Sequence, residues 1–327
     1  MAGQRANRQA RAATLDEFVS SDPLMRTCLD RARLAARTDL PVLILGESGT
    51  GKTLLARAIH NSSTRATGPF VSFNAAALSE TLLDSQLFGH ERGAFTGAHS
   101  RVKGKFELAD RGTLFFDEIA DLSPQGQSKI LRAIEYGEFE RLGSETLRDA
   151  DVRVLSATHH AVADLTRRGG FRADLFHRIN GISVTVPPLR SRPNDLRALI
   201  ASEIARVSRG QDKAIVGLDA SALHLLLTYH WPGNLRELSK VAQAAVALTT
   251  GDVIGVEVLR LLLDEDAASP APPPAGAPRT LGLESAVQAH ILYVLDLVGG
   301  NKRRAARELG GARATLERKL KEMGSGR

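Results

Sequence analysis

Residues 46–53 carry the strongest chemical signal in the sequence. They read GESGTGKT, which fits the phosphate-binding spacing GxxxxGK[ST], with an apolar run before them and a helical stretch after them. Glycines there let backbone N–H groups surround phosphate oxygens, Lys52 can reach the β- and γ-phosphates, and the Thr53 hydroxyl can bind Mg²⁺. The alternative is a glycine-rich turn that binds nothing, but the flanking elements favour a phosphate site. Its predicted members are Gly46, Glu47, Ser48, Gly49, Thr50, Gly51, Lys52 and Thr53.

A second signal lies about 60 residues downstream, where residues 112–118 read GTLFFDE. This is a buried-strand pattern that ends in two carboxylates. Asp117 can hold Mg²⁺ through water, and Glu118 can activate a water molecule for attack on a phosphate. Paired acids also occur at solvated strand ends without any chemistry, but the phosphate loop upstream favours the functional interpretation. Because a kinase has less need of the second acid, the pair indicates hydrolysis.

A parallel sheet is needed to bring these residues together. Short apolar runs alternate with helix-length segments, which is typical of a parallel α/β fold. From about Asn194 to Leu263 the strand candidates stop and helical spacing takes over, which predicts a helical subdomain. The predicted strands are residues 40–45, 70–73, 113–116, 152–157 and 182–186.

A proline-rich segment then divides the chain. Residues 264–278 read DEDAASPAPPPAGAP, with five prolines and no large apolar residue, so we predict a linker. Residues 279–327 hold ten basic and five acidic residues, and residues 1–13 hold three arginines and no acid, while the whole chain has a net charge of +6. The middle is therefore mildly acidic, which favours a separate basic module over a uniformly basic nucleic-acid coat.

Composition excludes several classes of protein. The only cysteine is Cys28, so an intrachain disulfide and a cysteine-rich zinc module are both excluded. No apolar run approaches the roughly 18 residues of a membrane span, and the polar, arginine-bearing start differs from a signal peptide. We expect a cytoplasmic protein with no membrane partner.

The basic tail has the pattern of a helix-turn-helix. Apolar residues recur every three or four positions over residues 283–297, which predicts one amphipathic helix that ends at Gly299 and Gly300. Two shorter helical stretches follow, residues 302–309 and 312–321, with a glycine turn between them. A short helix, a glycine-containing turn and a basic second helix are typical of DNA-binding modules.

Between the two chemical signals, residues 88–98 read FGHERGAFTGA. The segment is a loop of small residues with one aromatic side chain, Phe95. Buried loops are unfavourable, so Phe95 either packs into a core or is presented to a partner.

The GAFTGA motif closely resembles the signature of the sigma-54-dependent transcription activators, bacterial enhancer-binding proteins of the AAA+ ATPase class. The resemblance covers residues 18–263 and 283–323. It implies an AAA+ P-loop ATPase, with a parallel sheet flanked by helices and a helical lid, plus a small all-α helix-turn-helix domain. It also implies that the loop contacts sigma-54 and promoter DNA, with Phe95 and Thr96 as the main contacts. The loop residues are Gly93, Ala94, Phe95, Thr96, Gly97 and Ala98.

Further residues match the family in order. The resemblance implies that Asn74 pairs with Glu118 and couples the nucleotide state to the loop, and that Arg236, in WPGNLREL, reports the nucleotide to the lid. In FRADLFHR, it implies that Arg172 and Arg178 act as arginine fingers on a neighbouring subunit.

At the first sensor, Thr158 is followed by His159, where the family usually has asparagine. A neutral imidazole can still bond phosphate or polarise water, and a titratable group there could make hydrolysis sensitive to pH. Ala75 replaces a usual cysteine, which we interpret as a packing change.

The tail resembles a Fis-type helix-turn-helix. Its DNA-contact candidates are Lys302, Arg303, Arg304, Arg313, Thr315, Arg318 and Lys319. The alternative is a solvated basic helix that binds nothing. Four positions depart from the family pattern and weaken the expected helix packing and phosphate contacts: Gly311, Ala312, Ala314 and Glu317.

The resemblance implies an activator that binds enhancer DNA, assembles into a homohexameric ring, and uses ATP and Mg²⁺ to remodel the closed complex of sigma-54 RNA polymerase holoenzyme into an open one. One alternative is a AAA+ protein- or DNA-remodelling ATPase that acts on another target, but such a protein has no reason to carry GAFTGA. A repressor-like protein with a vestigial ATPase would need a broken phosphate site. Only about 20 residues precede the resemblance, so we expect control by a separate regulatory protein or by expression level.

The predicted division of the chain follows from these segments. It comprises a disordered basic leader (1–17), an α/β ATPase subdomain (18–190), a helical lid (191–263), a linker (264–282) and a Fis-type DNA-binding domain (283–327).

Overall fold

The computed structural model of this chain describes residues 13–75 and 80–263. Its helices are α1 (Pro23–Ala36), α2 (Lys52–Asn61), α3 (Glu80–Phe88), α4 (Lys105–Leu108), α5 (Pro124–Tyr136), α6 (Val162–Arg167), α7 (Ala173–Ile179), α8 (Pro193–Gly210), α9 (Ala220–Thr228), α10 (Asn234–Leu248) and α11 (Val256–Arg260). Its strands are β1 (Val42–Leu45), β2 (Phe70–Asn74), β3 (Gly89–His90), β4 (Val102–Lys103), β5 (Thr113–Asp117), β6 (Glu138–Glu140), β7 (Leu147–Asp149), β8 (Arg153–Thr158), β9 (Ile182–Thr185), β10 (Gly217–Leu218) and β11 (Val253–Ile254). Short 3-10 helices form at Leu15–Glu17, Ile119–Asp121 and Leu189–Ser191.

A five-stranded parallel sheet forms the centre of the α/β part, in the order β2-β5-β8-β1-β9. These are the five strands that the apolar runs predict. Both faces are buried: along β5, Leu114 and Phe116 pack into one apolar cluster and Phe115 packs into another. Helices therefore cover both sides, as an all-parallel sheet requires. The register brings Asn74 opposite Asp117, and Leu45 opposite Thr158, so the predicted site residues share one edge.

Helices α8 to α11 form a separate region with its own apolar core around Trp231. The Trp231 ring is fully buried, and its indole N–H donates to the carbonyl of Leu226 at 3.0 Å. A helical region here agrees with the sequence pattern. The expectation that strands stop at Asn194 is wrong in one detail, because β10 and β11 form a short parallel pair within this region.

Part of the predicted leader is folded. Leu15–Glu17 is a 3-10 helix, Leu15 is only 1% exposed, and its backbone N–H donates to the Ser62 hydroxyl at 2.9 Å. The expectation of a disordered leader is therefore wrong for these residues, because Leu15 packs with α1 and α2. Residues 1–12, the predicted linker and the predicted DNA-binding tail lie outside the described residues.

Two small hairpins hold the GAFTGA loop. Strands β3 and β4 pair antiparallel on either side of the loop, and β6 pairs antiparallel with β7. Leu142, next to β6, donates its N–H to the carbonyl of Gly89 and accepts from the N–H of Glu91, both at 3.0 Å. The loop therefore starts from a stem that the second hairpin fixes through backbone hydrogen bonds.

The side chain of Arg141 reinforces this stem. Its guanidinium is fully buried, donates to both carboxylate oxygens of Glu107 at 2.6 and 2.5 Å, and donates to Glu91 at 2.7 Å. These hydrogen bonds raise the pKa of Arg141 and outweigh the effect of burial. Two carboxylates on one guanidinium connect α4, the loop stem and the second hairpin.

Within the described residues, no helix is both long enough and apolar enough to cross a membrane.

Replacing Arg141 by leucine should lower the free energy of unfolding by about 3 kcal/mol, because it leaves the Glu107 carboxylate, 14% exposed, without its ion-pair partner. Urea denaturation followed by circular dichroism measures the change. The control is Arg111→Leu, since the Arg111 side chain is 87% exposed and its substitution should leave the unfolding midpoint unchanged. Equal midpoints for the two variants would contradict the role assigned to Arg141.

Candidate nucleotide-hydrolysis site

The phosphate loop connects β1 to the start of α2, as its sequence predicts. Gly49 and Gly51 have φ values of +78° and +100°, which favour glycine. The Lys52 side chain is only 6% exposed, and its ammonium donates to the carbonyls of Gly46 at 2.8 Å and Glu47 at 3.2 Å. The ammonium therefore lies within the loop, next to the backbone N–H groups and the helix N-terminus that favour an anion.

Thr53, in the first turn of α2, and Asp117, at the end of β5, come together at the sheet edge. The Thr53 hydroxyl donates to the Asp117 carboxylate at 3.1 Å, although 64 residues separate them. A hydroxyl and a carboxylate oxygen are the hard ligands that Mg²⁺ prefers. The two residues fit a magnesium site that phosphate oxygens and water would complete.

Glu118 follows Asp117 with φ +54°, a left-handed conformation that is uncommon for a residue with a side chain. Its Oε2 accepts from the backbone N–H of His159 at 3.1 Å and contacts the imidazole Nδ1 of His159 at 2.8 Å. Its Oε1 lies 3.6 Å from the Lys52 ammonium. Burial raises the pKa of Glu118, but the hydrogen bonds from His159 and the charge of Lys52 outweigh it and lower the pKa overall, so the group is a carboxylate.

The other predicted members of this edge lie at strand ends. Thr158 is fully buried at the end of β8, where its carbonyl accepts from Gly46 at 3.3 Å and its hydroxyl accepts from the His160 N–H at 3.1 Å. Asn74 ends β2, opposite Asp117 in the register. The sheet therefore places Asn74 on one side of β5 and His159 on the other.

The lid contacts the phosphate loop directly. Arg236 donates to the Ser48 hydroxyl at 2.9 Å, and Arg190 forms a two-pronged ion pair with Glu47 at 2.8 and 2.5 Å. The hydrogen bond from Arg190 lowers the pKa of Glu47. Gly49 is so close to the lid that a Cβ atom there would lie 2.2 Å from the carbonyl of Gly233.

Asn234 is a lid residue whose role the sequence did not reveal. It is fully buried with φ +52°; its Oδ1 accepts from Leu189, and its Nδ2 donates to the Ser48 carbonyl at 3.0 Å. Its neighbours Pro232 and Gly233 suggest only a turn before a helix, and α10 does begin at Asn234.

An apolar cavity of about 320 Å³ beside the phosphate loop was also missed. Its walls come from residues 18–20, α1, the phosphate loop, α2 and the lid, so no local motif marks it. In its wall, the Asp195 carboxylate accepts from the Ser20 hydroxyl at 2.6 Å and from the Ser21 N–H at 2.8 Å, which fixes the segment before α1 against α8. The apolar lining includes Phe18, Val19, Met25, Leu54, Leu199 and Leu235.

Arg172 immediately precedes α7 and Arg178 lies within it, and both residues are exposed. Arg172 pairs with Asp174 at 2.7 Å and donates to the Ser128 hydroxyl at 2.9 Å. Arg178 donates to the carbonyl of Glu135 at 3.1 Å. The partners Ser128 and Glu135 belong to α5, so the two arginines share one exposed region.

In the GAFTGA loop, Phe95 is half-buried and Thr96 is exposed. The Phe95 ring meets the His90 ring edge-on, with centroids 5.0 Å apart. Backbone bonds from Gly93 to the Ala98 carbonyl (2.9 Å) and from Ala98 to the Phe95 carbonyl (3.0 Å) close the loop. Phe95 thus packs against its own stem, while Thr96 remains accessible. The predicted DNA-contact residues, 302–319, lie outside the described residues.

Three family models match this chain. A sigma-54 interaction domain matches residues 18–185, a AAA+ ATPase lid domain matches residues 190–275, and a bacterial regulatory protein of the Fis family matches residues 288–323.

Individual relatives agree with these matches. The transcriptional regulatory protein ZraR of Klebsiella oxytoca is 45% identical over 303 residues, which is 93% of this chain and 68% of ZraR. The Nif-specific regulatory protein of Azotobacter vinelandii is 42% identical over 296 residues, 89% of this chain and 56% of that protein.

Solved structures show the same fold. NtrX from Brucella abortus in complex with ADP superposes with a TM-score of 0.70 at 30% identity, covering 98% of this chain and 72% of NtrX. Its complex with ATP gives a TM-score of 0.67 with the same coverage. With a phosphate loop, a lid and the GAFTGA loop in one chain, this protein belongs to the sigma-54-dependent transcription activators, ATPases of the AAA+ class with a Fis-type helix-turn-helix domain.

Proposed function

We propose that this chain hydrolyses ATP at the interfaces of a homohexameric ring and uses the energy to convert the closed complex of sigma-54 RNA polymerase into an open one. The observation that carries the proposal is the arrangement of Lys52, Thr53, Asp117 and Glu118 at one sheet edge. The exposed Thr96, on a loop whose stem is fixed to the same body, supports it.

ATP would bind with its phosphates in the loop at residues 46–53 and its base in the apolar cavity. A flat purine fits a cavity with mainly apolar walls. Arg236 donates a hydrogen bond to Ser48, which would be next to the phosphates in this arrangement. When ATP binds, the guanidinium would exchange that bond for one to a phosphate oxygen. NtrX, which shares this fold, has been solved in complex with ADP and with ATP, which supports nucleotide binding by this chain.

Thr53 and Asp117 would hold Mg²⁺, which supplies charge neutralisation at the β- and γ-phosphates when bound. Lys52 would donate to the same oxygens. Glu118 would then take a proton from the attacking water as its oxygen bonds to the γ-phosphorus and the bond to the ADP oxygen breaks. Inorganic phosphate and ADP would leave.

The two exposed arginines of α7 would complete the site of a neighbouring subunit. Charge develops on the transferring phosphate, and Arg172 and Arg178 would neutralise it. A head-to-tail interface of this kind closes into a ring when the rotation between subunits allows it. The present partners of both arginines are exposed groups on α5 and α7, which a neighbouring phosphate can replace.

Phe95 and Thr96 would contact sigma-54 and promoter DNA, and Asn74 would couple Glu118 to this loop, as the family resemblance implies. The tail would anchor the ring at enhancer DNA through Lys302, Arg303, Arg304, Arg313, Thr315, Arg318 and Lys319. The predicted domain boundaries at residues 190, 263 and 282 would place ATP hydrolysis and DNA binding in separate domains.

Replacing Glu118 by glutamine should lower kcat for ATP hydrolysis by about a hundredfold or more, because glutamine cannot accept the proton of the attacking water. ATP affinity should remain near that of the wild type, since the phosphate loop is unchanged. Phosphate release and fluorescent-nucleotide binding measure the two quantities. Glu257→Gln, on the lid surface, is the control, with a side chain that is 80% exposed. Unchanged turnover in Glu118→Gln would exclude Glu118 as the base.

Thr96→Ala should leave ATP turnover within about twofold of the wild type but abolish open-complex formation, because Thr96 is exposed on the GAFTGA loop and is not one of the residues of the phosphate site. Permanganate footprinting with sigma-54 polymerase on a double-stranded promoter reads out opening. Thr228→Ala, a change at an exposed threonine of α9, should affect neither. Loss of turnover together with opening would contradict the assignment of Thr96 to the contact loop.

Mixing two inactive variants tests the arginine finger. In an equal mixture of Glu118→Gln and Arg178→Ala, about a quarter of the interfaces join an intact Glu118 to an intact Arg178 of the neighbour, so part of the turnover should return. If Arg178 acts on the nucleotide of its own subunit, no mixed ring contains an intact site and the mixture stays inactive. Each variant alone provides the baseline.

A further inference from the structure

Two consecutive histidines contact both ends of the turn that carries Glu118. Glu118 precedes the 3-10 helix Ile119–Asp121, and both end residues are carboxylates. His159 Nδ1 lies 2.8 Å from Glu118 Oε2, and His160 Nε2 lies 3.1 Å from Asp121 Oδ1. The imidazole centroids are 3.9 Å apart. The end of β8 therefore fixes the whole turn.

The contacts of Glu118 engage both of its carboxylate oxygens. Oε2 accepts from both the backbone N–H and the side chain of His159, while Oε1 faces Lys52 at 3.6 Å. A carboxylate only accepts, so the Nδ1 of His159 must carry the hydrogen. An oxygen with two hydrogen bonds has little capacity left for the proton of an attacking water. The left-handed backbone of Glu118 adds strain that these bonds must offset.

We propose that His159 is a positioning residue that holds Glu118 in a resting orientation, and that its side-chain hydrogen bond must open before Glu118 can take a proton from water. This inference rests on the proposed role of Glu118 as the base. The hydrogen bond from His159 comes from the end of β8, which lies on the opposite side of β5 from Asn74. It therefore acts in addition to the role expected of Asn74.

The test compares two substitutions of His159. Alanine removes the side-chain donor and leaves the backbone N–H bond in place. Asparagine retains a donor, because its amide nitrogen is attached at the same branch point as Nδ1 of histidine. The His159 side chain is 42% exposed, so neither change should prevent folding, and circular dichroism checks this.

We expect His159→Ala to raise kcat for ATP hydrolysis about three- to tenfold, the net value of roughly one typical intramolecular hydrogen bond, with KM for ATP unchanged. His159→Asn should return kcat to near the wild-type value. A general loosening of the site would instead raise KM and would not be rescued by asparagine. His224→Ala is the matched control, because it removes an exposed histidine from α9 of the lid.

The inference is overturned if His159→Ala lowers kcat or leaves it unchanged, or if His159→Asn behaves like His159→Ala. Two further variants separate the two proposals: Glu118→Gln alone, and Glu118→Gln combined with His159→Ala. If Glu118→Gln is inactive and His159→Ala is no faster than the wild type, only the role of His159 fails. If Glu118→Gln still turns over ATP, the base assignment and this inference fail together. A faster His159→Ala whose double variant is inactive shows that the gain passes through Glu118.

Discussion

The buried amide of Asn234 joins the lid to the phosphate loop. One side chain accepts from the Leu189 N–H at 2.7 Å and donates to the Ser48 carbonyl at 3.0 Å and to the Glu47 carboxylate at 3.2 Å. A carboxylate could not donate the last two bonds, so only an amide satisfies all three partners. Because the Asn234 side chain is fully buried, the lid cannot tilt away from the loop without either breaking these bonds or moving the loop with it. The shape of the nucleotide site therefore depends on the position of α10.

Such long-range contacts separate what the sequence predicts from what it does not. The phosphate loop, the five parallel strands and the carboxylates at the end of β5 are local patterns, and the structure contains each of them. The partners of Asn234 lie 45, 186 and 187 residues away along the chain, and no local spacing encodes them. The apolar cavity is similar, since its walls come from several separate parts of the chain. Individual leucines and valines in those parts are indistinguishable from ordinary core residues.

The GAFTGA loop illustrates a second limit. Strands of two or three residues, such as β3, β4, β6 and β7, are too short to show a period of two, so neither hairpin was predicted. The sequence is compatible with Phe95 either in a core or presented to a partner. In the structure the ring is half-buried and packs edge-on against His90, which is intermediate between these two alternatives. Packing against its own stem limits the exposure of an aromatic side chain without placing it in a core. The functional identity of the loop came from its motif, while its position came from hydrogen bonds that the motif does not contain.

Helix α5 is the element that physically connects the site to this loop. It begins just after the turn of Glu118, with the Ser123 hydroxyl accepting from Gly126, and it ends at the left-handed Gly137, immediately before β6. Both arginines of α7 bond to it, through Ser128 and Glu135. Strand β8 offers a second connection, but its six residues are all buried between β5 and β1, so it cannot shift without disrupting the sheet. A rigid helix about 20 Å long with capped ends can move as one body. We therefore expect motion of α5, rather than of the sheet, to carry changes at Glu118 to the hairpin that holds the loop.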